Sequence, residues 1–306
     1  MSFTFGTSNG SSTASLFHIP QNHVPLTASP MLEKEWRNME WSEEEREKLM
    51  ACVSSFKPMK ESVSQARVLL IGPVGAGKSS FISSIQSIFF GRVINCAMVG
   101  SSSSSCSFTK KLHSFCIRGS GEAMSVVMCD IMGIGDGECI GLTLHDMLSV
   151  IKGHVPEGHK FSPDQPVGAD TEGFISNPSM NDKVHCVVFV VDCSKVNSYD
   201  KSFSATFEQL REYISHLGVH QVALVTHVDQ VCEATGRDIT QVYRSKSVQQ
   251  AMTKAGELLG MPTSYIVPVK NYCSELNLEQ STDVLLLKAL DHILQYANLC
   301  VLDKGN

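Results

Sequence analysis

The fold is decided by residues 67–85, which read RVLLIGPVGAGKSSFISSI. Residues 67–71 are mostly apolar and form a short run that is typical of a buried strand. Residues 79–89 place apolar side chains on one face at helical spacing. Between them, residues 72–79 match the pattern G-x-x-x-x-G-K-S in full. A strand that ends in this loop and continues into a helix is the context that a phosphate-binding P-loop requires, so the sequence predicts one here.

The residue types in this loop suit the binding of a triphosphate. Glycines let backbone N–H groups close around phosphate oxygens without Cβ clashes, and the helix that follows points its positive end at them. Lys78 is expected to reach the β- and γ-phosphates, and the Ser79 hydroxyl to ligate Mg²⁺. The alternative is a glycine turn with a solvated lysine. The predicted phosphate-binding residues in this loop are Gly72, Pro73, Val74, Gly75, Ala76, Gly77, Lys78, Ser79 and Ser80.

Strands and helices alternate along the rest of the chain. The further predicted strands are residues 112–117, 124–129, 184–191, 222–225 and 265–269. Helices are predicted between most of them, and such alternation is typical of a mainly parallel sheet with helices on both faces. A tight Gly-Ser-Gly link at 119–121 joins two strands and predicts one antiparallel edge strand. We therefore predict an α/β fold built on a mainly parallel six-stranded sheet.

Composition shifts divide the chain into three parts. Residues 1–30 are rich in Ser, Thr, Asn and Pro and predict a disordered tail. Residues 31–66 predict a helical extension, with a capping box at 42–45. Residues 67–306 predict the P-loop domain, interrupted by an irregular insertion at 153–181 that carries four prolines.

The overall composition narrows the class of protein. The 306 residues carry a formal charge of −6, so no basic excess points to nucleic acid. The 11 cysteines form no C-x-x-C pair, which fits free thiols in a reducing compartment. No apolar run approaches the roughly 18 residues of a membrane span, so no transmembrane segment is predicted. We expect a cytoplasmic protein.

Two predicted strands end in an aspartate, and either could lie beside Mg²⁺. Asp130 continues as D-x-x-G to Gly133, whose N–H is expected to contact the γ-phosphate. Asp192 is not followed by such a glycine, and we interpret it as a residue that caps the end of its strand. Thr109 lies twenty-one residues before Asp130 and is the candidate switch threonine, with Ser107 as its competitor. The predicted Mg²⁺ ligands are Ser79, Thr109 and Asp130.

The strand at 222–225 leads into THVD at 226–229, which is similar to the T/N-K-x-D motif that recognises guanine. A carboxylate accepts hydrogen bonds from guanine N1–H and N2–H₂, which adenine does not offer. The usual lysine is His227 here, which either stacks on the base or is an ordinary loop histidine. The residues after the sixth strand give a weaker signal. The predicted guanine-binding residues are Thr226, His227, Asp229, Lys270 and Asn271.

Ile134 occupies the position after D-x-x-G that often carries a glutamine. Because isoleucine cannot orient a water, intrinsic hydrolysis is expected to be slow or to use another group, such as His145 or Asp136. The motifs together predict a P-loop GTPase-like domain that acts as a guanine-nucleotide switch. The alternative is a nucleotide-binding scaffold that does not hydrolyse GTP, and an ATP-using enzyme is a third, less favoured class.

Several longer stretches resemble the interferon-induced protein 44 and 44-like family. They are the W-x-x-x-x-W-S-E-E segment at 36–44, the P-loop region at 67–85, SFTKK at 107–111, CDIMGI at 129–134, GHVPEGHKF at 153–161 and VPVKNYCSEL at 267–276. The resemblance covers about residues 33–300. It does not include the N-terminal TLDc domain that family members often carry.

This resemblance implies an α/β protein that binds GTP or GDP with Mg²⁺ in the cytoplasm. It also implies induction by interferon and a role in antiviral or innate immune responses. It carries Lys78 and Ser79 over as phosphate and Mg²⁺ residues, and it supplies no catalytic residue. A protein partner and self-assembly are both left open.

Overall fold

The computed structural model describes residues 31–97, 111–119, 123–134, 142–162 and 164–303. The predicted tail at 1–30 lies outside these residues, as do Ser107, Thr109 and Asp136. The switch threonine and one candidate for a hydrolytic group therefore stay predictions.

The described residues form one six-stranded sheet. Its strands are β1 (Ala66–Ile71), β2 (His113–Arg118), β3 (Ala123–Asp130), β4 (Cys186–Asp192), β5 (His220–Thr226) and β6 (Ile266–Pro268). Their order across the sheet is β2-β3-β1-β4-β5-β6. Four neighbouring pairs are parallel, and only β2 runs antiparallel, to β3. The predicted sheet, with its antiparallel edge strand, is confirmed.

Helices connect these strands. Within the described ranges the α-helices are α1 (Glu43–Ser54), α2 (Lys78–Phe90), α3 (Leu144–Ile151), α4 (Lys201–His216), α5 (Glu233–Arg237), α6 (Lys246–Leu259) and α7 (Gln280–Asp303). The alternation of strands and helices predicts helices at these connections, but no pattern in the sequence predicts the short α5. The observed strand boundaries lie within two residues of the predicted ones.

Alternate residues of β1 face two separate hydrophobic layers. Leu69 and Ile71 pack into a core that includes buried residues of α3, α4 and α6. Val68 and Leu70 pack into a second core with α1, α2 and α7. The central strand β4 is buried at every position, as expected for a parallel strand that is covered on both faces. The prediction of helices on both faces is confirmed.

Helix α1 begins at the predicted cap. The Ser42 side chain accepts a hydrogen bond from the Glu45 backbone N–H at 3.1 Å. The Glu45 carboxylate is held by Lys48 at 2.9 Å, so the predicted capping box forms at its serine half. The helix packs along α7.

One described helix, α7, is long and apolar enough to cross a membrane when only length and composition are considered. Buried residues make up 61% of its most apolar window. It packs against α1 and across β1, β4 and β5. Core helices of soluble proteins pass the same test, so this helix is weak evidence for a membrane.

The insertion between α3 and β4 contains neither helix nor strand in its described residues, yet it is tied to the domain at several points. The Asp146 carboxylate, in the first turn of α3, accepts from the Val167 N–H at 2.7 Å. The Leu112 N–H, just before β2, donates to the His159 carbonyl at 2.9 Å. The insertion therefore holds the start of β2 and the start of α3 together.

Candidate functional site

The P-loop links β1 to α2 in a conformation that favours glycine. Gly75 and Gly77 have φ angles of 75° and 91°, in the left-handed region. A Cβ at Gly72 would lie 2.0 Å from the carbonyl oxygen of Val190 in β4, so this position has no room for a side chain. The glycine pattern is thus explained by backbone conformation and by the close approach of two strands.

Lys78, the first residue of α2, is enclosed by this loop. Its side chain is buried, and its Nζ donates to the carbonyls of Gly72 and Pro73, both at 2.9 Å. Burial lowers the pKa of Lys78 to about 8, while the nearby Asp130 acts in the opposite direction. A buried ammonium whose hydrogen-bond partners are neutral carbonyls gives the loop the positive charge that an anion site needs.

Ser79 and Asp130 meet beside the loop. The Ser79 hydroxyl donates to the Asp130 carboxylate at 2.5 Å, and Asp130 is buried at the end of β3. Two of the three predicted Mg²⁺ ligands are therefore in contact. A hydroxyl and a carboxylate are hard oxygen donors, and Mg²⁺ binds through one or two carboxylates together with phosphate oxygens. The residues present fit this ion.

The D-x-x-G segment lies directly against the P-loop. Ile134 N–H donates to the Gly72 carbonyl at 3.0 Å, and Val74 N–H donates to the Ile134 carbonyl at 3.2 Å. A Cβ at Gly133 would lie 2.8 Å from the Val74 nitrogen, so the backbones touch here. The Ile134 side chain is buried and apolar. It offers no group that could orient a water molecule.

Two loops from the predicted guanine side also bond to the P-loop. The Thr226 hydroxyl, at the end of β5, donates to the Ala76 carbonyl at 2.7 Å. The Asn271 amide donates to the Gly77 carbonyl at 3.1 Å. A Cβ at Gly77 would lie 2.9 Å from the Asn271 amide nitrogen, so the two parts are in close contact. The structure thus brings predicted phosphate-binding and guanine-binding residues together.

His227 has an unusual backbone conformation. Its φ is 56°, and among the residues that the structure describes it is the only non-glycine residue with a positive φ. Such a conformation costs of order 1 kcal/mol or more and is concentrated at functional sites. The imidazole Nδ1 lies 3.0 Å from the Thr226 hydroxyl and 3.4 Å from the Asp192 carboxylate.

Asp192 is buried at the end of β4 and does more than cap that strand. Its carboxylate accepts from the Ser194 N–H at 2.9 Å, as the predicted cap should, and it also faces His227. Burial alone raises the pKa of Asp192, but hydrogen bonds from His227 and Ser194 outweigh it and bring this pKa below its usual value. No pattern in the sequence predicts this contact. Asp192 pairs in register with Thr226, so the shared end of two parallel strands was the available signal.

The remaining base-side residues differ in their surroundings. Asp229 is half-buried in the loop after β5. The backbone of this loop lies close to α5, since a Cβ at Gly236 would be 2.8 Å from the Asp229 carbonyl oxygen. Lys270 is paired with Glu275 at 3.3 Å and Glu279 at 3.6 Å. The ion pairs of Lys270 give no support to its predicted contact with the base.

The loop that carries Asn271 is fixed by the N-terminal part of the chain. The Tyr272 hydroxyl donates to the buried Asp283 carboxylate at 2.7 Å. Arg46 of α1 donates to the other oxygen of Asp283, also at 2.7 Å. Helix α1 thereby helps to position a loop that touches the P-loop.

Comparison with known proteins places these observations in a family context. No protein-family model matches the chain. It is 34% identical over 255 residues to human interferon-induced protein 44-like, which covers 83% of this chain and 56% of that protein. It is 32% identical over 250 residues to interferon-induced protein 44 from Mus musculus, which covers 82% of this chain and 59% of that protein. The chain thus spans a little over half the length of these relatives.

The matches among solved structures have low sequence identity and TM-scores below 0.5. One is Toc33 from Arabidopsis thaliana in complex with GDP and Mg²⁺, at 15% identity and a TM-score of 0.47, covering 84% of this chain and 96% of that chain. Another is a variant of Era from Aquifex aeolicus bound to GDP.AlF4-, at 12% identity and a TM-score of 0.37, covering 68% of this chain and 51% of that chain.

Proposed function

This chain belongs to the interferon-induced protein 44 and 44-like family, and from that premise we propose that it binds GTP and GDP with Mg²⁺ in an interferon-induced response. The observation that carries this proposal is the meeting of two groups of residues at one end of the sheet. Thr226 and Asn271 bond to the same loop that encloses the buried Lys78. A nucleotide with its phosphates in the loop would have its base beside Thr226 and the residues that follow it.

Each residue has a distinct role in this proposal. Backbone N–H groups of the loop and the Lys78 ammonium bind the phosphates. Ser79 and Asp130 hold Mg²⁺, which when bound neutralises charge on the phosphate oxygens. The Asp229 carboxylate accepts hydrogen bonds from guanine, and the Gly133 N–H contacts the γ-phosphate. Thr109 completes the Mg²⁺ ligands in the triphosphate state.

Intrinsic hydrolysis is proposed to be slow or absent. Ile134 stands where a water-orienting group would be needed, and its backbone is hydrogen-bonded to Gly72 and Val74. The same observation favours the second candidate function, a nucleotide-binding scaffold that does not turn over. The two candidates differ in whether the γ-phosphate is released over time.

The cellular part of the proposal follows from the family. We propose a cytoplasmic protein that acts in antiviral or innate immune responses through a protein partner or through self-assembly. Relatives named for interferon induction support this context. The proposal specifies the partner only as a protein, either a different protein or a second copy of this chain.

Calorimetric titration of the purified chain with GTP, GDP and ATP, each with Mg²⁺, tests the nucleotide assignment. We expect saturable binding of GTP and GDP, and ATP weaker by at least about 100-fold, because adenine leaves the Asp229 carboxylate unpaired. ATP that binds as tightly as GTP would overturn the guanine assignment. A phosphate-release assay over several hours then separates the switch from the scaffold.

A further inference from the structure

We propose that Asp192 is a positioning residue of the base-binding end, acting through His227. This inference rests on the proposed function, because it assigns a role within the same nucleotide site. His227 replaces the motif lysine, whose flexible stem usually covers the base. An imidazole is shorter and planar, so it can cover a base only if its ring is held in one orientation. Asp192 supplies that restraint.

The sheet places the two side chains together. Asp192 and Thr226 are register partners at the ends of β4 and β5, and His227 follows directly. The Nδ1 atom of His227 lies 3.4 Å from Asp192 Oδ1 and 3.0 Å from Thr226 Oγ1. The imidazole is thus held from two sides through a single ring nitrogen.

The hydrogen bonds around this nitrogen fix its protonation. The Thr226 hydroxyl has one hydrogen, and two carbonyls are placed to accept it, that of Ala76 at 2.7 Å and that of Val191 at 3.2 Å. Towards His227 this hydroxyl can only accept, and the Asp192 carboxylate likewise accepts. Nδ1 must therefore carry a hydrogen. The ring is bound through a protonated Nδ1, and its planar face is left as a platform for a purine.

Asp192 is fixed independently of His227. It is 4% exposed, and its Oδ1 accepts from the Ser194 N–H at 2.9 Å and the Ser194 hydroxyl at 2.7 Å. Lys195 lies 3.7 Å from the second carboxylate oxygen. Because Ser194 and Lys195 already fix the Asp192 carboxylate, this carboxylate can restrain the His227 side chain at the end of the neighbouring strand.

A double-mutant cycle separates positioning from a purely structural role. We expect Asp192→Asn and His227→Ala each to weaken binding of a fluorescent GDP analogue about tenfold, the low end of the loss of one stacked ring. The double variant should bind no more weakly than His227→Ala alone, because Asp192 acts through the ring. Multiplicative losses would overturn the proposal, because Asp192 would then act without His227.

Asp303→Asn is the matched control. It removes a carboxylate from another His–Asp pair, His220–Asp303 at 3.0 Å, which lies at the opposite end of β5. This variant should leave GDP affinity unchanged. Thermal melting of every variant reports whether a loss of binding follows from a loss of folding.

Nitrogen-15 NMR of labelled histidines reads the protonation of the ring directly in the wild-type chain, and His227→Ala is needed only to assign the signal. We expect Nδ1 of His227 to carry a hydrogen. The Nε2–H tautomer there would overturn the proposal. Wild-type protein that binds neither GTP nor GDP would instead overturn the proposed function, so the two failures are distinguishable.

Discussion

The phosphate end and the base end of the proposed nucleotide site are built in different ways. The phosphate end is made by consecutive residues, 72–79, and matches its motif at every position. The base end is assembled from β4, β5 and the loop after β6, and it departs from its motif at His227. A cradle of backbone amides is encoded locally. A surface that reads a base needs side chains that only the folded sheet brings together.

The largest effect is expected where the phosphate end touches the sheet. Gly72→Ala puts a Cβ 2.0 Å from the Val190 carbonyl oxygen, and two strands must move apart to admit it. We expect a loss of at least about 3 kcal/mol of unfolding free energy, or failure to fold. Gly168→Ala is the control, because a Cβ there meets nothing within 4 Å. Denaturant unfolding curves that coincide for Gly72→Ala and wild type would contradict the strand contact.

Removal of the charge at the phosphate end should strongly weaken nucleotide binding while the fold persists. Lys78→Ala deletes the buried ammonium that bonds to Gly72 and Pro73. We expect affinity for GTP with Mg²⁺ to fall by about 100-fold or more, because neutral carbonyls then face the phosphates. Titration calorimetry measures this loss, and the exposed Lys57→Ala serves as its control. Unchanged affinity in Lys78→Ala would show that the loop does not bind phosphate.

A smaller effect, in specificity, is expected at the base end. Asp229→Asn replaces an acceptor by an amide that can donate, so the preference should shift from guanine to xanthine nucleotides. We expect the GDP to XDP affinity ratio to fall by about 100-fold, in the range for a hydrogen-bonding group that reads a base. Competition against a fluorescent GDP analogue measures the ratio, with the exposed Asp164→Asn as control. A base preference that does not move would remove Asp229 from the site.

The smallest effect is a pH dependence that belongs to the phosphate end. Burial brings the pKa of Lys78 to about 8, and only its protonated form neutralises a phosphate. Bound phosphate raises this pKa, so binding takes up a proton above about pH 8. GTP affinity should be level between pH 6 and pH 7 and should fall above pH 8 by up to about tenfold per pH unit. Calorimetry in buffers of different ionisation enthalpy counts the protons, and level affinity up to pH 9.5 would contradict this assignment.

The difference between the two ends also describes what the sequence could predict. The strand β1, the P-loop and α2 follow from one continuous stretch, because strand, glycine turn and helix are each local patterns. The remaining strands follow from apolar runs, and the antiparallel edge strand from a tight turn. Ser79 and Asp130, two predicted Mg²⁺ ligands, are in contact because β3 ends at Asp130 beside β1, and the P-loop that follows β1 leads directly to Ser79 at the start of α2.

The features that the sequence did not predict lie in a very short helix, in an irregular loop and in a contact between two strands. Helix α5 has five residues with Gly236 among them, too short for an apolar period to appear. The ion pairs of Lys270 involve carboxylates on a loop whose path no motif specifies. The contact between Asp192 and His227 requires knowing that β4 and β5 are neighbours. Of the three, only the contact between Asp192 and His227 depends on the assembled sheet; the other two lie in segments too short or too irregular for a pattern to show.

The irregular insertion between α3 and β4 links two parts of the domain through hydrogen bonds. It is bonded to the residue before β2 through His159 and to the first turn of α3 through Asp146. These two elements follow the serine-rich stretch and the D-x-x-G segment, respectively. Neither can shift relative to the other without breaking a hydrogen bond to the same piece of chain. One irregular segment therefore contacts both parts of the chain that border the proposed phosphate end, the one that follows the serine-rich stretch and the one that follows D-x-x-G.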